Sequence, residues 1–355
     1  MPARLLTLPA DVVELLDRCF GVVDVAAAAR AGVDESRLRR LAAAGLLVRL
    51  APGCFAAAAA VSAASPWARF RLGSRAFALY SRGAAALTGW SAVVTWQLPT
   101  VGPAPARATA IRPSGAGHKV RSSRYGSLAV ATVPAELVRR VQCIDVMSPA
   151  WAVIDAARTG PIVPALVAAD AAAAAGHDLR DAVGAMAGWP RVARARWVAE
   201  YADPRAESPL ETLGRFACLQ FDLPLPVSNA WVGAEEPEYR VDGLWPFHGV
   251  AFEADGALKY DNRPDAARIV ARQGEREWRL RRLGLEVVRF GWDLAWRNRA
   301  ELAARFAAVL CDNAPRRRPV RWWKHVPGIG AVEPVPADWP SPGRTGVVLP
   351  AGWDR

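Results

Sequence analysis

Glycine and proline punctuation confines the first 55 residues to short elements, and this constrains the fold more than any other feature of the chain. Three short helices are expected, over Asp11–Cys19, Val25–Arg30 and Asp34–Ala44, followed by a hairpin over Leu47–Phe55. Gly32 marks a tight turn, Asp34 is the N-cap of the third helix, and Gly45 supplies its left-handed stop. The segment from Leu46 to Phe55 alternates around the turn pair Pro52-Gly53 and reads as a small β-wing. That is the punctuation of a helix-turn-helix with a wing. On the third helix Leu38 and Leu41 face inward, which leaves Arg37, Arg39 and Arg40 outward, with Arg49 in the wing. Arginine suits phosphates and guanine edges; a solvated basic face is the plainer reading of the same residues.

Further along, the texture mixes an Ala-rich helix (Trp67–Tyr80), strands at Arg107–Arg112 and Leu128–Val133, and helices through Trp151–Ala175. From residue 201 an α/β module is expected: a helix Pro209–Phe221, strands Arg240–Trp245 and Val250–Ala254, a charged helix Ala266–Leu283, a strand Leu285–Phe290 and a last helix Leu294–Leu310. The expected fold class is α+β multidomain. It comprises a winged helix-turn-helix (1–60), an α+β middle domain (61–200), the α/β module (201–312) and a Pro/Arg/Trp-rich, mostly unstructured tail (313–355).

A net charge of +11 would draw a polyanion such as DNA. Only three of the 45 basic residues are lysines (Lys119, Lys259 and Lys324), so compositional bias is a second account of that charge. The five cysteines, Cys19, Cys54, Cys143, Cys218 and Cys311, are scattered and never spaced as CxxC, which points away from a disulfide framework or zinc site. No uncharged apolar run has the length of a membrane helix, and Asp11 and Glu14 interrupt any signal-peptide core. A cytoplasmic protein with no membrane partner is expected. Gly-rich phosphate loops, nucleophile elbows and HExxH are missing from the sequence, and the four histidines are dispersed.

The carboxylates of the α/β module carry the chemistry. Phosphodiester hydrolysis needs a divalent metal held by a few carboxylates and waters. Strand alternation puts Glu253 and Asp255 on one face. If Pro246 to Gly249 form a four-residue connection, Asp242 stands opposite Glu253, where like charges repel unless a cation lies between them. Asp242, Glu253 and Asp255 are therefore the expected ligands of Mg²⁺ or Mn²⁺. Strand-end solvated acids are the alternative. Glu211 stands in Ser208-Pro-Leu-Glu211, a capping box that also lets it face the sheet. Lys259 is a compact cation able to serve a scissile phosphate, or simply a surface lysine after a turn. In the tail, Arg316-Arg-Arg318 and Arg321-Trp-Trp-Lys324 would contact phosphate and stack on unpaired bases, or be solvated.

Two resemblances bear on function. The pattern from Val25 to Val33, with Leu38-Arg-Arg-Leu41, Gly45-Leu-Leu-Val-Arg49, Pro52-Gly53-Cys-Phe55 and Ser81 to Gly89, resembles AbiEi-family antitoxins. That resemblance implies DNA binding, repression of the chain's own operon and a cognate toxin partner. Glu207-Ser-Pro-Leu-Glu211, Tyr239-Arg-Val-Asp242, Phe252-Glu253-Ala-Asp255-Gly256 and Leu283 to Arg289 resemble very-short-patch-repair endonucleases of the PD-(D/E)xK superfamily, and imply a restriction-endonuclease-like domain. Catalytic roles for Glu211, Asp242, Glu253, Asp255 and Lys259 follow from that second resemblance. Asp255 occupies the position where the superfamily carries lysine, and Gln273-Gly274 that of an acid-Lys pair. Three readings follow: a Mg²⁺-dependent DNA endonuclease, a non-catalytic repressor and antitoxin, or a protein scaffold.

Overall fold

Asp24 and Asp34 each start a helix by accepting a backbone N–H three residues on, from Ala27 at 2.6 Å and from Arg37 at 2.7 Å. These caps set the beginnings of α2 and α3 in a computed structural model that describes residues 7–81, 85–113, 119–256 and 266–353. The chain divides into two units, Met1–Tyr201 and Ala202–Arg355.

The first unit opens with α1 (Ala10–Arg18), β1 (Val23–Asp24), α2 (Val25–Arg30), α3 (Glu35–Ala43), β2 (Leu47–Ala51) and β3 (Cys54–Ala57). The three helices and the hairpin fall where the punctuation puts them, to within about two residues. Gly45 and Gly53 take φ of 74° and 70°, the left-handed region that lets α3 stop and the hairpin turn. Strand β1 was not legible, because two residues carry no period; it completes a sheet of order β1-β3-β2. Val12, Leu15, Leu38, Leu47 and Phe55 are in the shared core, with Leu41 packed against it.

The chain continues with α4 (Ala58–Ala63), α5 (Pro66–Ser81), β4 (Ala86–Leu87), α6 (Gly89–Thr95), β5 (Ala108–Pro113), β6 (Lys119–Ser122), β7 (Gly126–Ala131), β8 (Val138–Val141) and β9 (Ile144–Met147). Helices α7 (Pro149–Thr159), α8 (Ile162–Ala174), α9 (Leu179–Ala185) and α10 (Val192–Tyr201) follow. The strands form one sheet of order β6-β7-β5-β4-β9-β8. Buried Asp155 fastens α7 to the sheet: it accepts from Thr88 Oγ1 at 2.7 Å and pairs with Arg158 at 2.6 Å. Among the described residues no single helix is long and apolar enough to cross a membrane. The apolar helices α8 and α9 are bent by 119° relative to each other.

The second unit contains α11 (Pro209–Gln220), β10 (Val227–Val232), β11 (Tyr239–Trp245), β12 (Val250–Ala254), α12 (Ala266–Arg282), β13 (Glu286–Phe290), a π-helical turn (Asp293–Arg297), α13 (Arg299–Asp312), β14 (Trp322–Val326) and β15 (Gly330–Val332). The sheet runs β13-β12-β11-β10-β14-β15, with β12 and β13 parallel and the other pairs antiparallel. Phe252 is ringed by Trp245, Phe290 and Phe306 at centroid distances of 5.4–5.7 Å. That ring system fills the space opposite Gly243, where a Cβ would overlap Phe252 Cε1.

Residues 322–332 correct the expectation of a mostly unstructured tail, since they form β14 and β15, while most of the other described residues after 312 carry no regular structure. Trp322 and Trp323 are buried, and β14 pairs with β10 through Trp231–Trp323 and Val232–Trp322. Five-residue β14 was masked by its Pro- and Arg-rich flanks, yet burying two indoles outweighs the ordering cost. Stacking of these tryptophans on unpaired bases is excluded by the same burial.

Candidate functional site

In the first unit the expected DNA-contacting arginines separate into two pairs. Arg37 makes a two-pronged contact to Asp11 on α1, at 2.6 and 2.9 Å. This pair holds the Asp11 carboxyl below its ordinary range, chiefly through that hydrogen bond. The Arg37 charge is thus matched within the fold. On β2, Arg49 bonds the Tyr125 hydroxyl, to which Arg124 also donates; the two guanidiniums draw the phenol's pKa down. Arg39 and Arg40 behave differently. Both are exposed, and among the described residues their side-chain bonds go one turn back, Arg39 to Glu35 at 2.6 Å and Arg40 to the Ser36 hydroxyl at 2.9 Å. Exposed contacts one turn apart are worth only a few tenths of a kcal/mol, so a phosphate can replace them.

In the second unit the expected carboxylates do come together. The pair Gly243–Phe252 leaves Asp242 and Glu253 on the next rung of the β11–β12 ladder, joined by the expected four-residue connection. Asp242 accepts from the Ala254 N–H at 2.7 Å. Glu211, on α11, points inward and accepts from the Glu207 N–H at 2.9 Å and from Asn229 Nδ2 at 2.6 Å. Ser208 caps α11 as expected, while the Glu211 carboxyl returns to the residue before the cap and to β10 rather than closing the box. Burial raises the pKa of Glu211, Asp242 and Glu253 alike, and the Asp242 charge pushes the other two further up.

Cations of the chain itself are built into this cluster. Arg276 Nη2, from α12, lies 2.7 Å from Glu253 Oε1 and 2.6 Å from the Arg240 carbonyl oxygen, and its charge also draws on Asp242. Arg289 pairs with Asp255 at 3.1 Å. Arg240 clasps Glu207 at 2.7 and 2.8 Å.

In this structure Glu253 and Asp255, two of the three expected ligands, are paired with the chain's own arginines. Among the described residues no group of three His, Cys, Asp or Glu side chains is disposed to hold a metal. A divalent cation beside Glu253 would also meet the guanidinium of Arg276. Without an ion, the charge of Glu253 is met by Arg276 and that of Asp255 by Arg289. Lys259 lies outside the described residues. Arg276, Arg289 and Asn229 were missed from sequence because nothing local marks them, and tertiary packing alone brings them to the carboxylates. The one signal was the recurrence of arginine along α12.

Three of the basic tail residues are occupied within the fold, while Arg317 and Arg318 are exposed. Arg316 donates to the Gly284 carbonyl at 3.1 Å, Arg321 pairs with Glu333 at 3.0 Å and Lys324 with Asp338 at 2.8 Å.

Helix, turn, capped helix and hairpin together prompt the comparison with known regulators. Residues 11–58 match the family model of the AbiEi antitoxin transcriptional regulators. The matched segment takes in nearly all of α1 and continues through β3, and it contains Arg37, Arg39, Arg40 and Arg49; the family match does not extend to the second unit. Two uncharacterized proteins of Mycobacterium tuberculosis, MT2308 of strain CDC 1551 / Oshkosh and Rv2248 of strain H37Rv, are each 30% identical over 168 residues. Those alignments take in 46% of this chain and 60% of each relative, so the chain spans under two thirds of their length. The crystal structure of the RV2827C protein from Mycobacterium tuberculosis aligns with a TM-score of 0.34 and 18% identity, over 57% of this chain and 78% of that one.

Proposed function

We propose that the chain is a cytoplasmic DNA-binding transcriptional regulator of the antitoxin type, reading duplex DNA through α3 and the β2–β3 wing. The observation that carries this is the exposure of Arg39 and Arg40, whose side-chain bonds among the described residues go one turn back, inside the segment that matches the AbiEi regulators. A recognition helix in the major groove sets such side chains against base edges and phosphates, while the wing lies along the backbone. The expected partners are DNA and a cognate toxin protein.

In this reading the second unit is a restriction-endonuclease-like platform without hydrolytic chemistry, its carboxylates matched by Arg276 and Arg289. The facing carboxylates Asp242 and Glu253 are the one observation that favours the second reading, a DNA endonuclease. Fluorescence anisotropy of the full chain on labelled duplex DNA, at two salt concentrations, tests the first. Affinity should fall steeply with salt, and Arg39→Gln with Arg40→Gln should weaken it. Equal binding by the double variant would remove α3 as the reader. Nicking of a supercoiled plasmid in Mn²⁺, lost in Asp242→Asn, would reinstate the endonuclease.

A further inference from the structure

Within the first unit, a cleft of about 520 Å³ opens between the end of α1, helix α2, helix α5 and the β8–β9 hairpin. Its walls are apolar at Val22, Ala27, Ala78 and Leu79. Four guanidinium groups line it: Arg18, Arg30, Arg75 and Arg140. Their counter-charges are fewer than they look. Asp145 is taken by Arg140 at 2.8 Å, while Asp24, which caps α2 at 2.6 Å, keeps its charge and draws on Arg75. Among the described residues Arg18, Arg30 and Arg75 form no ion pair with a carboxylate, so Asp24 alone faces three guanidinium groups.

Arg75 is the central one. It is 7% exposed, donates to the Cys19 carbonyl at 2.8 Å and to the Gln142 carbonyl at 3.0 Å, and lies 5.0 Å from the centre of the Phe20 ring. Two neutral carbonyls and a ring face offset only part of the desolvation of a buried cation. The backbone around it is held in an unfavourable shape. Phe20 and Cys143, which line the cleft, and Gln142 next to Cys143 are all in the left-handed region, with φ of 55°, 65° and 48°. Side chains of these types seldom adopt it, and such conformations gather at binding sites.

A cavity of this size, apolar in its walls and with three guanidinium groups set against one carboxylate, is built for a small organic anion. Guanidinium forks match the oxygens of a phosphoryl group in particular. We propose that this cleft binds a small phosphorylated molecule of nucleotide size, its phosphate held by Arg75 together with Arg18 and Arg30. Ala26, Ala27 and Arg30 of α2 form one wall, so an occupant touches the helix that precedes α3. The site itself does not depend on the DNA-binding reading.

The test is calorimetry and thermal melting of the full chain with pyrophosphate and with AMP as probes, in the absence of DNA. Saturable binding of either probe at millimolar concentration is expected, with a rise in melting temperature by mass action. The double substitution Arg18→Gln and Arg30→Gln removes two exposed side chains and should leave the melting temperature of the unliganded protein unchanged, while weakening binding at least about tenfold. Arg75→Lys should weaken it as well. Should that buried change disturb folding, the double variant still decides. Absence of saturable binding by both probes in the wild type, or undiminished binding in the double variant, would overturn the proposal.

Discussion

Arg276 on α12 reaches Glu253 on β12 at 2.7 Å and thereby puts a cation of the chain beside the facing carboxylates Glu253 and Asp242. Glu253 is nearly buried and Arg276 only partly so, which makes the pair asymmetric. Removing the cation should cost more than removing the acid, because the acid left behind is the one that has lost its water. Arg276→Gln should lower stability by about 1–3 kcal/mol in urea unfolding, and adding Glu253→Gln should restore part of it. Additive losses in the double variant would mean that the pair contributes nothing of its own.

The same cluster sets a pH dependence. Glu211, Asp242 and Glu253 have folded pKa values raised above their ordinary values, so each binds its proton more tightly folded than unfolded. Their contribution is fully present below the unfolded pKa and lost as pH rises through the folded one. Asp242→Asn, which keeps an oxygen for the Ala254 N–H, should therefore be at least as stable as wild type near pH 7 and lose that advantage below about pH 4. Chemical unfolding at the two pH values checks this; a variant equally destabilised at both would mean that the Asp242 charge is itself stabilising.

Gly243 is fixed by packing. A Cβ there would overlap Phe252 Cε1, inside a ring cluster with no flexible end to give way. Gly243→Ala should destabilise by about 1–3 kcal/mol, while Gly274→Ala, with open space around its Cβ and a helical backbone, should be neutral or slightly stabilising. Thermal melting of the two variants gives the comparison.

On the reader, Arg37 should separate from its neighbours. Arg37→Gln breaks the tie to Asp11 and should act mainly on stability, with a modest effect on DNA affinity. Arg39→Gln with Arg40→Gln should leave stability nearly unchanged and reduce the slope of log K against log salt by about 0.9 for each phosphate that α3 no longer neutralises. Anisotropy titrations across a salt series measure both.

Divalent metal offers an independent check on the second unit. Millimolar Mg²⁺ or Mn²⁺ should raise the melting temperature no further than a control salt of equal ionic strength, because Arg276 already meets the charge of Glu253. A saturable, metal-specific rise abolished by Asp242→Asn would contradict the arginine-compensated site.

By itself the sequence determined what is local. Caps at Asp24 and Asp34, the stop at Gly45 and the turn at Gly53 act through hydrogen bonds and φ values within a few residues, so the order of helices and hairpin in residues 11–58 could be read directly. The facing of Asp242 and Glu253 was legible too, since a four-residue connection and a period of two fix the register. The tertiary structure decided which charges meet. Arg276 reaches Glu253 across 23 positions, Arg289 reaches Asp255 across 34, and Arg37 turns to Asp11 across 26. It also decided that β14 joins the sheet, because pairing with β10 connects residues about ninety positions apart and no period within five residues announces that. An ion pair depends on distance in space, and sequence spacing fixes distance in space only within a single helix, strand or turn.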